Sequence, residues 1–306
     1  MTRHFDPALV NDPFDDPGLY VDLVFERRAL LFDIGDIGAL PTRKLLRISD
    51  VFVTHRHMDH FTGFDHLLRR LLGREKCLGV YGPAGLIDAV ERKLKAYTWN
   101  LIEGCDGELA IRATEVDCSG NVRQAVFRER SRFERSEDER RRQSDDVLLA
   151  EPGLRVRSAR LDHGGVSVLA YALEERTQIN IWRNKVEAMG LVVGPWLRDL
   201  KDATLRGADD ATPINVAWRS EQRDEPASLR LGLLKEKIMK ITSGRKIAYV
   251  VDCSFSDANQ RKIVELARDT DILFIEATFL DADRAVAETR CHLTHARRGC
   301  LRDWRE

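Results

Sequence analysis

Six consecutive residues, His55-Arg56-His57-Met58-Asp59-His60, gather three of the chain's eight histidines with a carboxylate. They follow Val51-Phe52-Val53, a short apolar run that reads as a buried strand ending in Thr54. While a chain is extended, side chains alternate, so His55 and His57 point to the same side. A turn into a helix near Gly63 then swings Asp59 and His60 toward a neighbouring point. Imidazole nitrogen and carboxylate oxygen are ligand types that Zn²⁺ accepts at about 2.0–2.2 Å. The chemistry this spacing suggests is metal binding. The plainer alternative, a polar strand end with incidental histidines, sits badly with the thin spread of the other five.

Such a cluster needs strands to carry it and helices to cover them. Val21 to Phe25 and Ala29 to Phe32 read as two short strands around the charged turn Glu26-Arg27-Arg28. Phe64, Leu67, Leu68, Leu71 and Leu72 recur at helical spacing. Leu86 to Leu94 reads as another helix after the breaker Gly82-Pro83-Ala84-Gly85. The second half offers a strand from Val166 to Ala172, a helix from Leu229 to Ile241 and a strand from Ile247 to Val251. A helix from Ala258 to Ala267 and a strand from Ile272 to Ile275 follow. Arg123 to Asp146 mixes both signs of charge and reads as a solvated loop or hairpin tip, with an RNA-facing patch as the alternative. Glu174 to Ser228 reads as polar and irregular around Gly194-Pro195-Trp196, the character of a functional insertion. The chain also echoes itself. "LLFD" ending at Asp33 precedes "SDVFVTH" ending at His55, and "YVVD" ending at Asp252 precedes "TDILFIE" ending at Glu276. Two facing βαβ-like halves would bring all four strand ends to one rim.

The 306 residues are 43% hydrophobic and 32% charged, enough for one α/β domain with a sizeable core and too apolar for a wholly disordered chain. Lys and Arg number 49 against 50 Asp and Glu, which excludes a globally basic nucleic-acid binder and leaves a local patch open. The longest run without acids, bases or histidine, Cys77 to Ile87, falls short of the roughly 18–20 apolar residues of a membrane span, so no membrane partner is expected. Met1 to Asp16 is acidic without an apolar block, unlike a signal peptide. The six cysteines include no CxxC pair. A reduced, cytoplasmic protein is the expectation.

The hexapeptide matches the HxHxDH motif of the metallo-β-lactamase superfamily, and later landmarks resemble its ribonuclease Z branch, the tRNA 3′-processing endonucleases. Leu161-Asp162-His163-Gly164-Gly165, with Val168 to Tyr171 and Glu174-Glu175 after it, is similar to the branch's mid-chain histidine and the strand and Glu that follow. Gly194-Pro195 is similar to its Gly-Pro arm, and "GRKIAYVVD", ending at Asp252, to its strand with a bridging Asp. Glu276-Ala277-Thr278-Phe279 and His292-Leu293-Thr294 look like its Glu-Ala-Thr-Phe and His-Ser-Thr elements. The resemblance runs from about Leu30 to Arg298. It implies a single α/β hydrolase domain over 1–306, the metallo-β-lactamase αβ/βα four-layer sandwich, with a protruding arm or insertion at about 174–228. It implies a two-metal centre. His55, His57 and His163 would hold one ion, Asp59, His60 and His292 the other, and Asp252 would bridge both. Asp59 and Glu276 would be the carboxylates that assist the reaction. Two Zn²⁺ are expected, with Mn²⁺ or Fe²⁺ as alternatives. Cations about 3.5–4 Å apart lower the pKa of a water between them and stabilise charge on a phosphoryl oxygen. The implied activity is a phosphodiesterase that cuts the 3′ trailer of tRNA precursors by metal-activated hydroxide attack. RNA would be its partner, and a homodimer a candidate assembly.

Alternatives stand beside several positions. His163 could be a loop histidine, Asp252 a cap for the next helix, and Glu276 a buried polar group at a strand end. His295 competes with His292. Asp33, with Gly35 close behind, could shape the rim or orient a ligand histidine through its second nitrogen. His66 reads as surface. The branch's Gly-rich opening has no counterpart in Met1 to Tyr20. Ile275 stands where the branch carries a histidine thought to protonate the leaving group. The charges around Gly194-Pro195 are balanced, less basic than an RNA clamp requires. Ile275 and the missing opening favour a second reading, a metal-dependent hydrolase of a small ester, thioester, lactone or cyclic phosphodiester. A non-catalytic binding module is the third.

Overall fold

The computed structural model describes residues 5–24, 26–100, 102, 107–142, 146–176, 178–219, 228–242 and 244–300. Phe25, residues 143–145, Thr177 and residues 220–227 lie outside them, and with them parts of the expected first strand, charged hairpin and irregular stretch. In chain order the strands are β1 (Phe5–Leu9), β2 (Leu19–Leu23), β3 (Arg28–Phe32), β4 (Ile48–Phe52), β5 (Lys76–Pro83), β6 (Leu109–Val116), β7 (Asn121–Arg128) and β8 (Arg135–Arg142). Then come β9 (Val147–Ala150), β10 (Leu154–His163), β11 (Val166–Glu175), β12 (Gln178–Ile181), β13 (Pro213–Asn215), β14 (Ser228–Arg230), β15 (Met239–Thr242), β16 (Lys246–Val250) and β17 (Ile272–Ile275). The helices are α1 (Thr42–Leu45), α2 (Met58–Phe61), α3 (Phe64–Leu71), α4 (Leu86–Lys95), α5 (Arg183–Ala188), α6 (Trp196–Leu205), α7 (Leu231–Ile238), α8 (Asp257–Ala267), α9 (Arg284–Thr289) and α10 (His295–Cys300). None is long and apolar enough to cross a membrane among the described residues.

Two compact units are present, residues 1–174 with 246–306, and residues 175–245. In the first, β1 to β8 pair in sequence order, parallel from β3 to β6 and antiparallel on both flanks. A second sheet runs β17-β16-β11-β10-β9, with β16 and β17 parallel. Alternation along the strands sorts the side chains into layers. Ala29, Leu31 and Val51 share one cluster with Leu67 and Leu71 of α3 and with Val90 and Leu94 of α4. Leu30, Phe32 and Phe52 meet Tyr171, Leu173, Ile247 and Tyr249 of the second sheet. Ala170, Ala172 and Val250 turn outward to Ile263 and Leu266 of α8. The layers are therefore helix, sheet, sheet, helix, an αβ/βα sandwich. Strands buried on both faces need continuous apolar sequence, which is why β3 and β4 stand out in the chain.

Residues 175–245 have a core of their own, with Val186, Trp196, Leu200, Leu231, Leu234 and Ile238 in one cluster. β12 pairs with β15 and β13 with β14. The stretch expected to be irregular thus holds helices and strands, and this unit ends at Arg245 rather than near Ser228. Its polar composition hides the spacing Trp196, Leu200, Ala203, which buries one face of α6. The single helix expected over Leu229 to Ile241 is instead β14, α7 and β15. Arg123 to Asp146, expected as loop or hairpin tip, lies mostly in β7 and β8, with β8 at the edge of the sheet.

Candidate metal centre

The ends of several strands deliver the titratable groups. His55 and His57 follow β4, and Asp59 and His60 lie on α2. His163 closes β10 because Gly164 and Gly165, at φ 60° and 88°, form the two-residue turn into β11. Positive φ at both central positions is what a tight hairpin of this kind demands and what glycine supplies without strain. Asp33 and Asp252 follow β3 and β16 at φ 57° and 45°, the left-handed region that few residues with a Cβ adopt. They meet at one imidazole. Asp33 Oδ2 lies 2.8 Å from His60 Nδ1, and Asp252 Oδ2 lies 2.9 Å from His60 Nε2. The internal echo of the sequence is thus a geometric one, since each carboxylate ends the first strand of a parallel pair, β3–β4 or β16–β17.

Close packing brings α2 into place. A Cβ on Gly35 would stand 2.1 Å from the carbonyl oxygen of Asp59, and one on Gly63 would stand 2.2 Å from that of Gly35. Backbone bonds from Ile34 N to His60 O (3.0 Å) and from Gly63 N to Ile34 O (2.9 Å) join the two segments.

Ligand atoms of His55, His57, His163 and Asp252 lie within 4.8 Å of one another. The same holds for Asp59, His60 and Asp252, and for Asp252, Glu276 and His292. Asp252 is common to all three groups. The resemblance set His292 beside Asp59 and His60. Here its Nδ1 lies 3.0 Å from Glu276 Oε2 and 3.5 Å from Asp252 Oδ1, and Asp252 is the link to the other two. His295 is exposed and belongs to none of these groups, and His66 is half-buried on α3. Ser256, whose hydroxyl accepts from Asn259 N at 3.2 Å, caps α8, so Asp252 does not.

Three imidazoles have Nδ1 engaged by an acceptor. His60 donates to Asp33, His163 to the Cys291 carbonyl at 2.9 Å and His292 to Glu276. Each then has Nε2 available for a ligand, with the ring orientation fixed. His55 Nδ1 faces Thr54 Oγ1 at 3.1 Å. Its Nε2 is buried without a hydrogen-bond partner, 3.5 Å from Asp252 Oδ2. A buried polar atom left unpaired costs about 1–3 kcal/mol. A coordinated cation removes that cost, and the nitrogen and carboxylate donors are those of a divalent cation site.

The electrostatics agree. Burial, with His60 next to it, drives His55 down to about 3, leaving a neutral ring able to coordinate. For His60, burial opposes the charge, but Asp33, Asp252 and Asp59 outweigh it and push the ring up to about 12. Burial likewise works against the Asp252 carboxylate, and His60, His292 and His55 hold it down at about 2.

Thr54, Tyr171 and Tyr249, which the sequence did not single out, support the site alongside Asp33 and Glu276. Asp33 accepts from Thr54 N (2.7 Å), Thr54 Oγ1 (2.9 Å) and Tyr249 Oη (3.2 Å) besides His60. Tyr171 Oη donates to Val53 O at 2.6 Å. A buried tyrosine hydroxyl needs a partner, the one clue available in the sequence. Glu276 accepts from Cys253 N and Thr278 Oγ1, both at 2.8 Å, so its carboxylate is occupied in holding His292. Ile275 packs with Ile263 and Leu266 of α8.

Residues 20–194 match the family described as the Beta-lactamase superfamily domain. Over 296 residues the chain is 29% identical to ribonuclease Z of Deinococcus radiodurans, covering 94% of this chain and 82% of that protein. Ribonuclease Z of Geobacillus kaustophilus is 26% identical over 250 residues, 81% of this chain but 64% of the relative, so the match spans less than two thirds of the latter. Human tRNase Z, short form, is similar in fold, with a TM-score of 0.51 at 18% identity, over 98% of this chain and 86% of the other. The family match takes in more than half of the chain and contains the hexapeptide and His163. This chain belongs to the β-lactamase superfamily.

Proposed function

We propose that the chain is a ribonuclease Z-like phosphodiesterase that removes the 3′ trailer of tRNA precursors with two zinc ions. The observation that carries this reading is the set of three ligand groups sharing Asp252, in a chain similar to a ribonuclease Z over 94% of its length. His55, His57 and His163 would hold one ion and Asp59, His60 and His292 the other, with Asp252 shared between the two groups. Bound there, the cations supply Lewis-acid activation of a water and of the phosphoryl group.

The chain's own groups do the rest. Asp33, the Cys291 carbonyl and Glu276 fix three imidazoles, so the ligand set needs little reorganisation as charge develops. The Asp59 side chain is 52% exposed, and its hydrogen bond with His60 holds it below the usual carboxylate range. It is the carboxylate placed to handle the proton of the attacking water. Glu276 is a positioning residue that acts through His292. Residues 175–245, which carry more Lys and Arg than Asp and Glu, serve as an arm for RNA rather than for chemistry. One observation favours hydrolysis of a small ester or cyclic phosphodiester instead. Ile275 packs against α8, so no imidazole protonates the leaving oxygen from that position.

Metal-loaded protein offered a tRNA precursor with a 3′ trailer should release the mature 3′ end, and an aryl phosphodiester should also turn over. Hydrolysis of a thioester or lactone with intact RNA would transfer the assignment to the second reading. Elemental analysis should return about two zinc ions per chain. Asp252→Ala should lose metal and activity together, and full metal retention would remove its bridging role.

A further inference from the structure

We infer that Phe14 is a stacking platform for the base of a nucleotide flanking the scissile phosphate, an inference that rests on the RNA-cleaving reading. Phe14 is 98% exposed, the most exposed large hydrophobic side chain among the described residues. It lines a cavity of about 520 Å³ together with Asn11, Asp15, Asp16, Pro17, Asp36 and Asp59. Asp59, whose Oδ2 lies 3.4 Å from His60 Nε2, is common to this cavity and to the proposed metal centre.

The loop that presents the ring is tied down rather than free. Val10 N donates to Gly18 O at 2.8 Å across its base. Asn11 Nδ2 donates to the carbonyls of Asp16 (2.9 Å) and Asp36 (2.7 Å). Asp36 N donates to Asp16 Oδ2 at 3.0 Å. These bonds fasten the loop to the Gly35–Asp36 segment, whose close approach to the Asp59 backbone sets α2 in place. The loop that carries Phe14 is therefore anchored beside Asp59. A ring placed in water on an anchored loop beside a metal site has no packing role in the fold.

Charge decides what the cavity takes. Its carboxylates, Asp15, Asp16, Asp36 and Asp59, would meet a phosphate with like charge. A neutral base offers a π-face for the ring and amino hydrogens for carboxylate oxygens. The strand's phosphates pass elsewhere, and one base turns into the cavity.

The test uses full-length, zinc-loaded protein and a tRNA precursor made abasic at either nucleotide next to the cut. Phe14→Ala should raise KM for the intact precursor about five- to a hundredfold with a far smaller change in kcat, and Phe14→Trp should restore it. Removing one flanking base should cost the wild type a similar factor and cost Phe14→Ala nothing more, because ring and base act as one contact. A 2-aminopurine at that position of a short RNA should lose fluorescence on binding wild type but not Phe14→Ala. Unchanged KM in Phe14→Ala, or fully additive losses, would overturn the assignment while RNA cleavage stands. If the wild type cuts no precursor, the RNA reading fails, and the 2-aminopurine signal alone then decides for or against Phe14.

Discussion

Asp33 bears on the proposed metal centre without being among its proposed ligands. Its fully buried carboxylate satisfies Thr54 twice, His60 Nδ1 and Tyr249 Oη, leaving no buried charge unpaired. Asp33→Asn keeps the shape but turns an amide donor toward groups that already donate. Zinc affinity, measured by competition with a chelator, should fall about 10- to 100-fold, the usual cost of losing a partner that orients a ligand histidine. Tyr249→Phe removes one of several donors and should lower stability by about 1 kcal/mol in a denaturant titration. A loss of zinc as large as that in Asp33→Asn would show that the tyrosine orients the carboxylate rather than merely satisfying it. Asp33 was visible in the sequence as a strand-end carboxylate beside the motif. Tyr249 was not, because it is 216 residues away and reaches Asp33 only across the packed sheets.

At the level of elements, the short helix α2 depends on two glycines more than on its own four residues. Isolated helices of that length are not stable in water, so its position comes from contacts with the Gly35 segment. A methyl group on Gly35 would meet the Asp59 carbonyl at 2.1 Å, a backbone atom that cannot swing aside. Gly35→Ala should displace α2, weaken zinc binding and lower stability by about 1–3 kcal/mol, the range for forced overpacking. Wild-type zinc affinity in that variant would mean the loop, not α2, yields. The hexapeptide's ligand types were plain from spacing. That Gly35 must lack a side chain follows only from the approach of two segments distant in sequence.

For the whole molecule, the division at Glu174 and Lys246 sets up an excision. Glu174 pairs with Lys246 in the ladder of β11 and β16, and Glu175 N donates to Arg245 O at 2.8 Å, so the two ends of the second unit are adjacent. Replacing residues 176–244 with a short Gly-Ser turn should leave zinc uptake and aryl phosphodiester turnover in place and weaken binding of a tRNA precursor. Failure to fold would make the second unit part of the core. A further expectation concerns alkali. Burial raises Tyr20 to about 12 and pushes Tyr81, Tyr171 and Tyr249 upward as well. An unfolded tyrosine ionises near about 10, so the unfolded chain releases these protons first. The stability these tyrosines contribute is therefore fully present below about pH 10 and is lost as pH climbs toward 12. Denaturant midpoints should drop over that range, and the tyrosinate absorbance of the buried rings should rise with unfolding rather than ahead of it.

The amino-acid sequence by itself determined which groups could bind metal and which strands would carry them. Ligand chemistry is local, and strands buried on both faces leave continuous apolar runs such as those around Val51 and Tyr249. It also placed four carboxylate or imidazole residues at strand ends, a pattern that needs no partner to be read. The tertiary structure decided what those ends do. Asp33 and Asp252 become the two sides of a single imidazole, Ser256 rather than Asp252 caps α8, and Glu276 is spent on His292. The same holds for residues 175–245, whose small core joins helices too short to announce themselves. Apart from the Ser256 cap, a local bond with Asn259, these outcomes depend on how separate segments pack, and spacing along one segment does not encode them.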